Sequence, residues 1–115
     1  MDDRERLIHI AGVAIIALLI SETVKFAFLV PRPCDGEPGC PPGHSFPSSH
    51  TTTAFSFFTM LAIIYNPLWI FGALPFAFQR VIWGVHTPTD ILGGAILGIT
   101  IAAAAVKLDL DKRAI

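Results

Sequence analysis

Charged residues are scarce in this chain. Of 115 residues, 8 are Lys or Arg and 9 are Asp or Glu, which gives a formal net charge of −1. There is no repeat, no low-complexity tract and no basic patch outside the apolar stretches, so we expect no nucleic-acid partner. Cysteine is also rare: Cys34 and Cys40, with His44 nearby, leave a tetrahedral ligand set incomplete. We therefore expect neither a metal nor another cofactor.

Apolar residues are abundant, at 53% of the sequence, which is too many for a water-soluble domain of this length. They form four stretches separated by polar or proline-rich joints. The pattern predicts an all-α integral membrane helical bundle with about four transmembrane helices, forming a single domain over residues 1–115. The predicted helices cover roughly 7–30, 48–65, 68–85 and 88–106, with a loop over 31–47.

Proline and glycine refine this prediction at two places. Pro75 lies inside the third apolar stretch and predicts a kink there. Gly94 and Gly98 form a G-x-x-x-G pattern in the last stretch, which is typical of close helix packing. That packing can occur within one chain or between protomers, so a homo-oligomer stays open.

The distribution of basic residues predicts the topology. Five of the eight basic residues lie in the two tails, which an even number of helices places on one side. The positive-inside rule makes that side cytoplasmic, in a multi-pass protein of the plasma membrane. The other three basic residues lie at the opposite ends of the helices and predict an extracytoplasmic site; they are Lys25, Arg32 and Arg80.

Two histidines near helix starts carry the candidate chemistry. Thr87 suits an N-cap, and Pro88 and Asp90 suit the first turn that follows, which places His86 within one turn of Asp90. A carboxylate at that distance can hold the Nδ1 proton and leave Nε2 free as a nucleophile toward phosphorus. His50, at the start of the second helix, is the better candidate for the general acid.

The same end of the bundle predicts an anion site. Lys25, Arg32 and Arg80 are costly near a membrane unless an anion neutralises them, and a phosphoryl group would do so. The backbone N–H groups at Ser48 and Ser49 also favour an anion, since they open the second helix. Glu22 lies one turn before Lys25 and is expected to pair with it.

These residues resemble the signatures of the type 2 phosphatidic acid phosphatase superfamily, which are K-x6-R-P, P-S-G-H and S-R-x5-H-x3-D. The first is matched by 25–33, the second by 47–50 with Ser49 for Gly, and the third by 79–90 with Gln79 for Ser. The resemblance implies the minimal core of that helical fold. It also implies a hydrolase in which His86 is transiently phosphorylated, His50 protonates the leaving oxygen, and the cations and the Ser48 and Ser49 positions hold the phosphoryl group.

The sequence thus predicts metal-independent hydrolysis of a lipid phosphate or isoprenyl diphosphate at the membrane surface. Two alternatives stay open: a non-catalytic membrane protein that keeps the phosphate cradle to bind phospholipid, and transfer to an acceptor other than water. The lipid itself is not encoded in a recognisable pattern. Cys34 and Cys40 lie in a loop expected to face an oxidising compartment, where they would be either a disulfide or two free thiols.

Overall fold

A computed structural model describes residues 2–114, with side chains through Asp109. Throughout this range the ordered elements are helical, with no strand. Helix α1 spans Asp3–Phe28 and α2 spans Ser49–Ile64; a 3₁₀ helix over Pro67–Ala73 leads into α3, Leu74–Ile82, and α4 spans Pro88–Ala114. Helix α2 contacts each of the other elements, so it forms the centre of the bundle.

Local sequence explains where the helices begin. The carboxylate of Asp2 accepts the backbone N–H of Glu5 at 2.8 Å and caps α1. The hydroxyl of Ser48 accepts the N–H of Thr51 at 3.3 Å and caps α2. Helix α4 begins at Pro88, where the missing proline N–H would have had no intrahelical acceptor.

The third segment differs from the expectation of one kinked helix. Asn66 Oδ1 accepts the N–H of Leu68 at 2.9 Å and starts a 3₁₀ helix at Pro67, which becomes α-helical at Leu74. Pro75 lies in the first turn of α3, next to the change from 3₁₀ to α-helix. A kink at this position stays a prediction.

The bundle holds together through small apolar contacts. At the end away from the predicted site, one cluster joins Ile10 and Val13 of α1 with Met60 of α2 and Ala102 of α4. On the other side of α2, Ala54 and Phe55 pack on Ala73 and Ala77. Elsewhere many large apolar side chains are exposed, as expected where lipid tails replace water.

Gly94 and Gly98 let α4 approach α2 closely. A Cβ atom on Gly94 would lie 2.8 Å from the carbonyl oxygen of Ser48, and one on Gly98 would collide with the carbonyl of Thr52. The G-x-x-x-G pattern therefore serves packing within the chain. This contact also fixes the start of α2, which carries the end of the second signature, against the start of α4, which carries the end of the third.

Two of the described helices are long and apolar enough to cross a membrane by length and composition, namely Asp3–Phe28 and Pro88–Asp109. Helix α2 has 16 residues, fewer than the roughly 20 that a bilayer core takes. The 3₁₀ helix and α3 together form a shorter apolar helical stretch over Pro67–Ile82.

Candidate active site

The capping turn of α4 holds His86 and Asp90 together. Asp90 Oδ2 accepts the backbone N–H of Thr87 at 2.9 Å, and the Thr87 hydroxyl accepts the N–H of Asp90 at 3.3 Å. This reciprocal pair is the capping box that the sequence predicts. His86 Nδ1 lies 3.3 Å from the same Oδ2 atom, and both side chains are almost fully buried.

Ser45 contacts both members of this pair, and sequence reasoning missed it. Its buried hydroxyl donates to Asp90 Oδ2 and lies 3.4 Å from His86 Nδ1. Its backbone N–H bonds the carbonyl of Val30 at 2.7 Å, which anchors this part of the loop to the end of α1. Ser45 is 41 residues from His86, so no local spacing points to the contact.

Arg32 sets the tautomer of His86. Its Nη1 atom lies 3.1 Å from His86 Nε2 and 3.3 Å from the carbonyl of Val85. A guanidinium can only donate, so Nε2 accepts and the ring proton lies on Nδ1, facing Asp90 and Ser45. Nε2 is therefore the nitrogen with an available lone pair.

Burial keeps His86 neutral. Desolvation is the main cause that lowers its pKa from the ordinary value of 6.5 to about 4, and the positive charge of Arg32 lowers it further. The hydrogen bond and charge of Asp90 oppose this shift but do not cancel it. At neutral pH the imidazole is thus a free base in one orientation.

Arg80 is a buried cation. The residue is 8% exposed, and its Nε atom has no hydrogen-bond partner among the described residues. Among residues 2–109, no carboxylate forms an ion pair with it. A buried guanidinium with unmet donors favours an anion nearby, because leaving such a charge unpaired is costly.

Lys25, Glu22 and Ser49 form a second polar group on the other side of the site. Lys25 Nζ donates to Glu22 Oε1 at 3.2 Å, which confirms the predicted pair. The hydroxyl of Ser49 donates to the same oxygen at 2.6 Å and accepts from Ser21 at 3.0 Å. The Ser49 hydroxyl is therefore hydrogen-bonded to Glu22, and the backbone N–H of Ser49 is the group available to bind an anion.

Ser48 and His50 have different surroundings at the start of α2. Ser48 is fully buried, and its N–H donates to the carbonyl of Asp90 at 3.2 Å, which ties the two motif helices together. His50 is exposed, and its ring makes no hydrogen bond within the described part of the chain. It lines a cavity of about 570 Å³ that His86 also lines.

This cavity brings most of the predicted site residues together. Its polar wall consists of Glu22, Lys25, Arg32, Ser49, His50 and His86. Its remaining wall is mainly apolar, with Ala14 and Leu18 from α1, Phe57 and Phe58 from α2, and Phe76 from α3. Three predicted site residues, Arg80, Ser48 and Asp90, do not line this cavity.

The loop between α1 and α2 contains a disulfide between Cys34 and Cys40. Arg32 lies just before this bridge, and its Nη2 atom donates to the carbonyl of Pro42 at 3.4 Å, just after it. The bridged loop thus closes around the arginine. No cluster of three or more His, Cys, Asp or Glu residues suited to a metal ion occurs in the described range.

The chain belongs to the PAP2 superfamily, whose sequence model matches residues 6–114. The family resemblance seen in the motifs is confirmed by this match. A solved structure, LpxE of Aquifex aeolicus, superimposes with a TM-score of 0.74 at 25% identity, covering 91% of this chain and 69% of LpxE.

Two relatives match most of the chain. YbjG of Escherichia coli (strain K12), provisionally named as an undecaprenyl-diphosphatase, is 33% identical over 106 residues, covering 84% of this chain and 53% of YbjG. The undecaprenyl-diphosphatase of Sulfolobus acidocaldarius is 29% identical, covering 83% of this chain and 51% of that protein. The chain therefore spans about half the length of these two relatives.

Proposed function

We propose that the protein is a metal-independent phosphatase that hydrolyses a lipid phosphate or an isoprenyl diphosphate at the membrane surface. The observation that carries this proposal is the neutral, buried His86 whose Nε2 lone pair meets the cationic side of the cavity. A fixed nucleophile near the buried cations Lys25, Arg32 and Arg80 suits an electrophile that is itself an anion. The relatives named as undecaprenyl-diphosphatases support a phosphorylated lipid as the substrate.

In the first step, the Nε2 lone pair of His86 attacks phosphorus and the bond to the leaving oxygen breaks. Arg32 shifts its hydrogen bond from Nε2 to a phosphoryl oxygen, where Lys25 and Arg80 add positive charge. Protonated His50 gives its proton to the leaving oxygen, so an alcohol or a lipid monophosphate departs. The phosphorylated ring keeps its Nδ1 proton, which Asp90 and Ser45 hold.

In the second step, water attacks the phosphohistidine while neutral His50 accepts one of its protons. The phosphorus–nitrogen bond breaks, its electrons return to Nε2, and inorganic phosphate leaves. The cations stabilise the equatorial oxygens in both transition states, which is the role that a metal takes in other phosphatases. Both histidines then regain their starting protonation states.

We place the protein in the plasma membrane with both termini cytoplasmic and the cavity at the extracytoplasmic face. Helices α1 and α4 are long enough to cross, and α2 and the stretch over Pro67–Ile82 would complete a four-helix bundle. Because the apolar walls of the cavity come from α1, α2 and α3, a lipid tail can occupy the cavity while its phosphate meets His86.

The alternative without catalysis has less support. A protein that only binds phospholipid needs the cations, but it needs neither a single His86 tautomer nor a second histidine with a free ring. Transfer to an acceptor other than water uses the same intermediate, so product analysis separates it from hydrolysis. A new phosphorylated product in place of inorganic phosphate would favour transfer.

The decisive experiment measures inorganic phosphate released from a panel of lipids by the purified chain in detergent. The panel contains undecaprenyl diphosphate, phosphatidylglycerol phosphate and phosphatidic acid, each assayed with excess chelator and with vanadate. We expect release from at least one lipid, unaffected by the chelator and inhibited by vanadate, which mimics phosphate at the transition state. Activity that disappears with the chelator and returns with one metal would overturn the metal-independent mechanism.

A further inference from the structure

Glu22 lies where the polar and apolar parts of the cavity meet. Along α1 the lining residues run from Lys25 through Glu22 to Leu18, about 4.5 Å and then about 6 Å along the helix axis. Along α2 the same sequence of environments runs from His50 through Thr53 to Phe57. We call the level of Glu22 and Thr53 the junction.

A bound lipid must place its linking group at the junction. If its phosphorus lies near His86 and its tail lies among the phenylalanines, the atoms between them pass Glu22 and Thr53. In a phosphomonoester these atoms are an ester oxygen and carbon, which carry no charge. In a lipid diphosphate they are a second phosphate.

The charges at the junction oppose a second phosphate. The carboxylate of Glu22 is held in place by Ser49 at 2.6 Å and by Lys25 at 3.2 Å. Lys25 is thereby already paired, and Arg32, the other basic residue of the lining, bonds loop carbonyls on the side of His86. The remaining polar group, Thr53 Oγ1, is buried and neutral, and it has no hydrogen-bond partner in the described part of the chain.

Resting on the phosphatase activity proposed above, we propose that Glu22 makes this site selective for lipid phosphomonoesters over lipid diphosphates. The carboxylate works by repulsion, because Glu22 lines the cavity with 55% of its side-chain surface accessible, and a negative charge there disfavours a second phosphate. Its bonds to Lys25 and Ser49 favour the orientation seen in the structure. This preference differs from the substrate stated in the names of the two relatives.

The test compares two substrates with the same tail, farnesyl phosphate and farnesyl diphosphate, using the full chain in detergent. We expect kcat/KM to favour the monophosphate by about tenfold or more in the wild type, and Glu22→Gln to lower that ratio by about tenfold. Glutamine keeps the size and one acceptor oxygen but removes the charge. Glu5→Gln serves as the matched control, since it lies about 25 Å away along α1 and should leave the ratio unchanged.

A wild type that prefers the diphosphate, or a ratio that Glu22→Gln does not move, would overturn the selectivity. If Glu22→Gln does not fold or loses activity on both substrates, the selectivity is tested by inhibiting the wild type with inorganic anions. Orthophosphate should then inhibit more strongly than pyrophosphate, and the reverse order would contradict the proposal. No release from either substrate by the wild type would instead remove the phosphatase function, and this inference with it.

Discussion

The two histidines of the site occupy opposite kinds of environment. On the nucleophile side, His86 is buried and its two ring nitrogens contact Asp90, Ser45 and Arg32. On the acid side, His50 is exposed in the cavity and its ring makes no hydrogen bond within residues 2–109. The same side chain is therefore fixed in one place and free in the other.

This difference fits the two roles proposed for them. A nucleophile must present one nitrogen in one direction, so a fixed tautomer lowers the entropy cost of attack. A general acid must exchange its proton with water in every turnover, so it benefits from exposure and from having no fixed partner. The contrast suggests experiments in which the two sides respond differently.

The largest effect is expected on the nucleophile side. His86→Ala removes the atom that would bond to phosphorus, so turnover should fall by more than about 10⁴-fold. The measurement is phosphate release under saturating lipid. His44→Ala is the matched control and should stay near wild-type activity, because His44 lies in the loop and its ring makes no hydrogen bond within residues 2–109. Full turnover by His86→Ala would exclude it as the nucleophile.

On the acid side the loss should depend on the leaving group. His50→Ala removes the proton donor, so hydrolysis of an alkyl phosphate should slow by about 10²- to 10⁴-fold. With p-nitrophenyl phosphate, whose leaving group departs without a proton, the loss should be much smaller. The two substrates are compared by kcat for wild type and variant. Equal losses on both would mean that His50 positions the phosphate and does not protonate.

A substitution at Ser45 tests how much the fixed orientation of His86 contributes to kcat. Ser45→Ala leaves His86 and Asp90 in place but removes a buried hydroxyl that contacts both, so kcat should fall by about tenfold with KM little changed. Ser56→Ala, another fully buried serine, whose hydroxyl bonds the carbonyl of Thr53, is the control and should change kcat less than twofold. A rise in KM with unchanged kcat would contradict a positioning role.

Local spacing was enough to predict one half of the site. Asp90 caps its own helix, and the same turn places His86 beside it, so five residues of sequence contain the geometry. The pair of Glu22 and Lys25 was predictable for the same reason, since one helical turn separates them. Family signatures then indicated which separate motifs belong together.

Contacts made by the loop and by packing were not predictable. Ser45 reaches Asp90 because the loop is hydrogen-bonded to Val30 and because α4 lies close to α2. No regular spacing of residues in the sequence indicates either contact. The hydrogen bond from Ser49 to Glu22 likewise depends on how α1 packs beside α2. The 3₁₀ start of the third segment was missed because apolar composition does not distinguish it from an α-helix.

The smallest expected effect concerns the pKa of His86, which reports directly on the burial and charges around the ring. Burial opposes the charged ring, Arg32 adds to that effect, and Asp90 opposes it more weakly, so the pKa falls to about 4. We expect NMR of histidine-labelled protein, assigned with His86→Ala, to show this ring neutral at pH 5 and half protonated near pH 4. In the denatured chain the same ring should titrate near the ordinary value of about 6.5. A midpoint at or above 6.5 in the folded protein would mean that Asp90 outweighs burial, and the nucleophile would then be partly protonated at neutral pH.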